Sequence, residues 1–230
     1  MARGKQSKGK CHFCGEIMAK SGIGRHLTSC QQRKDLIAKS EKTKAGTEPL
    51  YHIRLEALRG KHYWLDIEMR GSATLADLDG YLRDIWLECC GHLSAFMIGG
   101  WRGEEIGEDE MKIKVGQFLR VGLELLHIYD FGTSSETLVK VQGVREGKPL
   151  TKYPVVLMAR NLPPEFHCQE CDRVATWFCQ ECLFEDGTSG FLCDQHVKKH
   201  PHEDYGEPIS VVNSPRLGLC GYTGLAEPPY

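Results

Sequence analysis

The chain reads as an α+β protein: a central mixed sheet with one main amphipathic helix, flanked by two small zinc-binding modules. Three observations predict this class. Residues 51–58 and 62–69 alternate in hydrophobicity on either side of Arg59 and Gly60, the pattern of a β-hairpin. Leu75, Leu78, Leu82, Ile85, Trp86 and Cys89 recur at helical spacing and form one apolar stripe. Cysteines and histidines fall in metal-ligand pairs near both ends of the chain.

Residues 1–47 read as a basic zinc finger with flexible flanks. Cys11-x2-Cys14 supplies two thiolates, and a helix capped by Ser21 supplies His26 and Cys30 at i and i+4. Phe13, Ile23 and Leu27 are nearly all its apolar material, so the ion must supply most of the folding energy. His12 is a bystander beside Cys11.

Residues 48–162 carry the main core. After the hairpin, Thr74 or Ser72 caps the helix, with Asp77 in its first turn and Gly91 at its end. Strands are expected at 93–98, 123–131, 137–144 and 152–160. The polar stretch 103–110 separates the first of these from a short helix near 113–119. Strands and one helix segregated in this way make an α+β sheet domain. Trp64, Trp86 and Phe96 are core candidates.

Residues 163–230 hold a second zinc module and a tail. The pairs are Cys168/Cys171, Cys179/Cys182, Cys193/His196 and His200/His202. Taken alternately, they give one tetrahedral set of Cys168, Cys171, Cys193 and His196, and another of Cys179, Cys182, His200 and His202. His167 is a stand-in if one of the closely spaced His200 and His202 does not coordinate. Trp177 and Phe178 are expected to pack between the sites. With the finger, this makes about three zinc ions. Each set has four protein donors and so no open position for a catalytic water, which points to recognition or assembly rather than hydrolysis.

Charge separates the ends of the chain. Residues 1–44 carry eleven Lys/Arg against three acids, net +8, and the remainder eighteen against twenty-eight, net −10. Such a basic arm suits DNA or RNA, with Lys5, Lys8, Lys10, Lys20, Arg25, Arg33 and Lys34 as phosphate contacts. The C-terminal module is then a candidate protein-binding surface. No apolar run approaches the roughly 18 residues that span a bilayer. The basic N-terminus has no apolar stretch behind it, and clustered thiols suit a reducing compartment, so a cytoplasmic protein with no membrane partner is expected. The competing reading is an enzyme, a nuclease or hydrolase, using His92, His127 and Asp130. That reading requires the three to converge, since isolated histidines are more often structural and an acid ahead of a turn is more often a backbone acceptor. Ser134 and Ser135 have no base placed by the sequence. Cys220 is left over, as a ligand or a reactive thiol.

Two resemblances add to this reading. In ligand order, particularly Phe178, Cys179, Cys182 and the later Cys193, His196 and histidines, the C-terminal module resembles a B-box-type zinc finger, although its gap from Cys182 to Cys193 is longer. The core resembles the Ri-plasmid open-reading-frame-three-like family, also labelled transposon passenger-protein (TnpR-like). The likeness rests on the opening strand from Tyr51, the leucine-rich helix before His92-Leu-Ser-Ala-Phe96, and above all Tyr129-Asp-Phe-Gly132. The tail, residues 213–222, is similar to that of members with zinc-ligand cysteines. Where many members follow the Tyr-Asp-Phe-Gly motif with an aspartate, a tryptophan and a histidine, this chain has Thr133, Ser134, Ser135, Glu136 and Thr137. The resemblance implies an α+β fold and a plasmid or mobile-element context, without a settled activity.

Overall fold

The computed structural model describes residues 7–202, 204–224 and 227–229. Its N-terminal part runs β1 (Lys8–Cys11), β2 (Ile17–Ala19), α1 (Lys20–Ser29) and α2 (Gln31–Ser40). The core follows as β3 (Glu48–Ala57), β4 (Trp64–Arg70), α3 (Leu75–Leu82), a π-helical turn (Arg83–Leu87), β5 (Ser94–Ile98), β6 (Glu104–Ile106), β7 (Glu124–Tyr129), β8 (Ser135–Gly147) and β9 (Val155–Asn161). The C-terminal module adds β10 (Trp177–Phe178), α4 (Gln180–Phe184), β11 (Phe191–Leu192) and β12 (Ile209–Ser210).

The first nine strands form one sheet in the order β2-β1-β9-β4-β3-β8-β7-β5-β6. Every pairing in it is antiparallel, where a mixed sheet was expected. Short turns join the hairpin pairs β1–β2, β3–β4, β5–β6 and β7–β8, α3 and the π turn carry the chain from β4 to β5, and the other connections also bring each strand in antiparallel to its neighbours. The hairpin of β3 and β4 forms as its alternation predicts, with Ile53 opposite Ile67 and Leu55 opposite Leu65. These side chains, together with Met69, Val139, Val141, Val155 and Leu157, make one buried face. On it lie Leu75, Leu78, Tyr81, Leu82, Ile85, Trp86 and Leu87 of α3 and the π turn. Fully burying one such side chain contributes about 1.5–3 kcal/mol.

Helix α3 starts where expected. The Thr74 hydroxyl accepts from the Asp77 N–H, and the Asp77 carboxylate accepts from the Thr74 N–H, a reciprocal capping box. Replacing Thr74 with Ala is expected to cost about 1 kcal/mol, read as a lowered urea midpoint at unchanged slope. The end of the helix differs from expectation. Gly91 has φ of 77° but lies four residues beyond Leu87, the last residue of the π turn, so it does not end the helix. Arg83 organises this exit: it donates to Asp79, Glu88, the His92 carbonyl and the Ser94 hydroxyl. The short helix expected near 113–119 is a pair of 3-10 turns, Glu110–Lys112 and Val115–Gln117.

The opposite face of β4 is also covered. Trp64 is fully buried among Cys11, Ile23, Leu27, Cys30, Met158 and Ala159, so the N-terminal finger rests on the sheet. A Cβ at Gly9 would stand 2.3 Å from the Trp64 ring, which makes glycine necessary at that point of β1. Beside the indole lie two buried acids. Asp66 is held by His52 and Arg54, and Glu68 by Arg33 of α2 and Arg145 of β8. The finger thus brings to the sheet both an apolar surface and a cation for a buried carboxylate.

Candidate metal centres

In the finger, Cys11 ends β1, the turn after it carries Cys14, α1 carries His26, and Cys30 sits between α1 and α2. The helix begins at Lys20 with Ala19 in the cap position, so Ser21 lies inside it rather than capping it. Its 3.6-residue period places His26 and Cys30 on one side of the helix. Cys11 Sγ lies 4.0 Å from Cys30 Sγ, and Cys14 Sγ lies 3.3 Å from His26 Nε2. Donors about 2.3 Å (thiolate) and 2.0–2.1 Å (imidazole) from a tetrahedral Zn²⁺ stand about 3.8 Å and 3.5 Å apart, so the set fits that ion. The other ring nitrogen, His26 Nδ1, faces Glu16 at 3.4 Å, the carboxylate partner that orients a zinc-bound imidazole.

The C-terminal module realises the interleaved pairing. Cys168 Sγ stands 3.2 Å from His196 Nδ1, and Cys171 Sγ 3.9 Å from Cys193 Sγ. The second set brings Cys182 Sγ to 3.4 Å from His200 Nε2 and 3.3 Å from His202 Nδ1, with Cys179 Sγ 3.8 Å from His202 Nδ1. Both His200 and His202 therefore belong to the candidate donor set, and His167 lies outside it: its Nδ1 lies 3.2 Å from the Asp172 carbonyl. His202 Nε2 faces Asp186 at 3.5 Å, repeating the carboxylate–imidazole arrangement of the finger.

Local backbone shapes both sets. The Cys182 N–H donates to Cys179 Sγ at the start of α4, and Gln169 Nε2 donates to Cys182 Sγ. At Gly190 (φ 71°), a Cβ would lie 2.4 Å from the Cys179 carbonyl oxygen, so glycine is what lets β11 close over that ligand. Backbone N–H groups of His196 and Gln195 hold the Cys193 thiol down to about 6. Burial, and then the neighbouring His202, lower the His200 imidazolium below its usual value. A thiolate and a neutral imidazole are the forms that ligate a metal. Phe178 is buried against Phe191, whereas Trp177 is half-buried beside Cys179, Cys182 and Leu192 and donates its indole N–H to Asp194.

The other sequence candidates are distributed differently. Lys5 lies outside the described residues. Lys20 pairs with Glu56 at 3.0 Å and Arg33 with Glu68 at 2.9 Å, so both are engaged by the sheet domain. Lys8, Lys10, Arg25 and Lys34 are exposed and make no ion pair among the described residues. His92 and Asp130 approach to 3.5 Å, but His127 does not join them. It is fully buried against Phe96, with Nε2 bonded to Asp79. Burial works to raise the Asp79 carboxyl; hydrogen bonds from His127, Ser94 and Arg83 outweigh it and hold the group at about 2. His127 is thus a structural histidine with a placed partner.

Asp130 has φ of 64° and accepts from the Gly132 and Thr133 N–H groups through Oδ1. Its Oδ2 takes Arg216 at 2.7 Å. Arg216 is completely buried, and the sequence reading missed it. The available signal was an arginine among small and apolar tail residues, but its partner lies 86 positions away.

No family model matches the sequence, and no curated protein matches it. Among solved structures, the chain is similar to a protein of unknown function, MM3350, from Methanosarcina mazei Go1. The two share 23% identity with a TM-score of 0.42, over 49% of this chain and 69% of that one.

Proposed function

We propose that this is a non-enzymatic zinc protein that binds the phosphate backbone of nucleic acid through its N-terminal finger. One observation carries the reading. Within a segment of net charge +8, Lys8, Lys10, Arg25 and Lys34 stand in solvent without acidic partners among the described residues, while Lys20 and Arg33 are committed to the sheet. Cations left free on a zinc-folded module are available to displace phosphate counterions. The metal sets support a non-catalytic role, because each completes four protein donors. The Tyr129–Gly132 motif supports a place in the mobile-element passenger family, with Asp130 acting there as a turn and ion-pair residue.

Because β1 belongs to the sheet, the test is substitution rather than deletion. Fluorescence anisotropy on the zinc-loaded chain with a short DNA duplex is expected to give log K falling with log salt at a slope of about −3 to −4, from four phosphate contacts. Replacing Lys8, Lys10, Arg25 and Lys34 with Gln should weaken binding by at least about tenfold at low salt and flatten the slope. Unchanged affinity in that variant sinks the reading.

A protein-docking role for the C-terminal module has one observation in its favour. Leu183, Phe184 and Tyr205 are exposed together beside the second metal set, with the Phe184 and Tyr205 rings stacked. If that face docks a partner, Phe184→Ser abolishes the interaction while leaving zinc content and nucleic-acid affinity unchanged.

A further inference from the structure

Three cysteines and a histidine outside both zinc modules converge at one point of the surface. Cys89, Cys90 and His92 follow the π turn, and Cys220 arrives from the C-terminal segment. Cys90 Sγ stands 3.0 Å from His92 Nε2 and 3.5 Å from Cys220 Sγ. His92 Nε2 is 3.4 Å from Cys220 Sγ, and Cys89 Sγ is 3.6 Å from Cys90 Sγ. All four donor atoms lie within 4.8 Å of one another. We propose that Cys89, Cys90, His92 and Cys220 form a fourth zinc site, a Cys3His clip that fastens the C-terminal segment to the exit of the helix.

Distances alone would not separate a site from a chance cluster, but three further features do. Three thiolates and a neutral imidazole around Zn²⁺ leave one net negative charge, and the Arg216 guanidinium donates to Cys89 Sγ at 3.4 Å. A cationic N–H on a ligand sulfur is the outer shell that a thiolate-rich site needs. Second, Cys220 holds a left-handed backbone (φ 52°, ψ 35°), which is strained for a non-glycine residue and persists where surrounding contacts over-determine it. Third, Cys90 and Cys220 are both exposed, so burial of apolar surface does not explain why their thiols meet. Thiolates select zinc or copper(I) over harder ions, and the imidazole in the set favours zinc.

The clip spans a junction that matters to the fold. Between its two arms lies the segment that buries Ser214, bonded to the Trp86 carbonyl, and Arg216, bonded to Asp130. Losing the ion would free Cys220 first and loosen this segment from its end.

The test compares the full chain with Cys220→Ser and Cys90→Ser, all purified under reducing conditions from zinc-supplemented cultures. Zinc and copper per chain are measured by inductively coupled plasma mass spectrometry. Each variant should carry one zinc fewer than the parent. Hydrogen exchange across 214–222 should accelerate by about tenfold or more, with residues 163–211 unchanged. Because the count is a difference, partial loading of the other centres does not affect it. Should either variant fold poorly, cobalt-loaded parent chain gives a second readout: sulfur-to-cobalt charge-transfer absorbance should correspond to eleven thiolates, against eight for the other three centres together. Equal zinc in parent and variants overturns the proposal. So does copper in place of the lost zinc, or an intact mass lighter by two hydrogens, which marks a Cys90–Cys220 disulfide.

Discussion

Removing zinc with a strong chelator is expected to unfold residues 163–211 while leaving the nine-stranded sheet in place. The module has almost nothing else to hold it. Its strands β10, β11 and β12 are two residues each and α4 is five. Its buried apolar cluster is Cys179, Cys182 and Leu192, with Trp177 and Val197 against it, so two of the three central residues are themselves candidate ligands. Structural zinc supplies about 10–16 kcal/mol apparent in peptides of this size, more than so small a core can offer. The N-terminal finger should respond differently to the same treatment. Its β1 pairs with β9, and its helix rests on Trp64, so β1 should stay protected while α1 and α2 loosen. Hydrogen exchange before and after chelation reads both outcomes in one experiment. Retained protection across 163–211 would falsify the structural role assigned to those eight ligands.

This contrast between the two modules was only half visible in the sequence, for a physical reason. A Cys-x2-Cys pair is a local geometry, fixed by the reach of two side chains across one turn, so spacing alone identifies it. The interleaving of the C-terminal pairs follows from the same local rule. Docking of the finger leaves a weaker trace. Strand β1 reads Lys-Gly-Lys-Cys, and its inward positions are Gly9, chosen by contact with Trp64, and Cys11, chosen as a ligand. Neither is a hydrophobic strand residue in the usual sense, so the alternation that reveals β3 and β4 is silent here. Helix α2 is polar on nearly every side and earns its place through Arg33 and Ser40 reaching Glu68 and the Lys148 carbonyl. The three-residue strand β6 is missed because two of its three residues are glutamates at a sheet edge.

The tail shows the same limit at longer range. In sequence, residues 213–222 look like a loop rich in small residues. In the fold they deliver a buried serine, a buried arginine and an exposed cysteine to partners between 81 and 130 positions away. Tyr129, Asp130, Phe131 and Gly132 were identifiable as a motif, but the role of Asp130 depends on which cation reaches it. His92 and His127 were indistinguishable as sequence. Their environments separate them: one opens toward thiols, and the other is sealed against Asp79.

The buried pair of Arg216 and Asp130 gives the second large effect. Arg216→Met is expected to destabilise the chain by about 3–5 kcal/mol, because it removes the charge compensation of a nearly buried carboxylate. The loss is not that of one bond. Arg216 also donates to the Thr133 carbonyl, the Ser135 hydroxyl and Cys89 Sγ, and lies 4.8 Å from the Tyr129 ring centre. Asp130→Asn should cost less, since asparagine tolerates a positive φ and its side-chain oxygen can keep the turn bonds to Gly132 and Thr133. The double variant is the decisive measurement. If the cost of Arg216→Met comes from stranding a buried charge, neutralising Asp130 in the same chain should recover part of it, and the double variant should be more stable than the sum of the singles predicts. Urea unfolding followed by tryptophan fluorescence supplies all four free energies. Strict additivity would mean that Arg216 acts through packing and its bonds to Thr133 and Ser135, with Asp130 serving the turn alone.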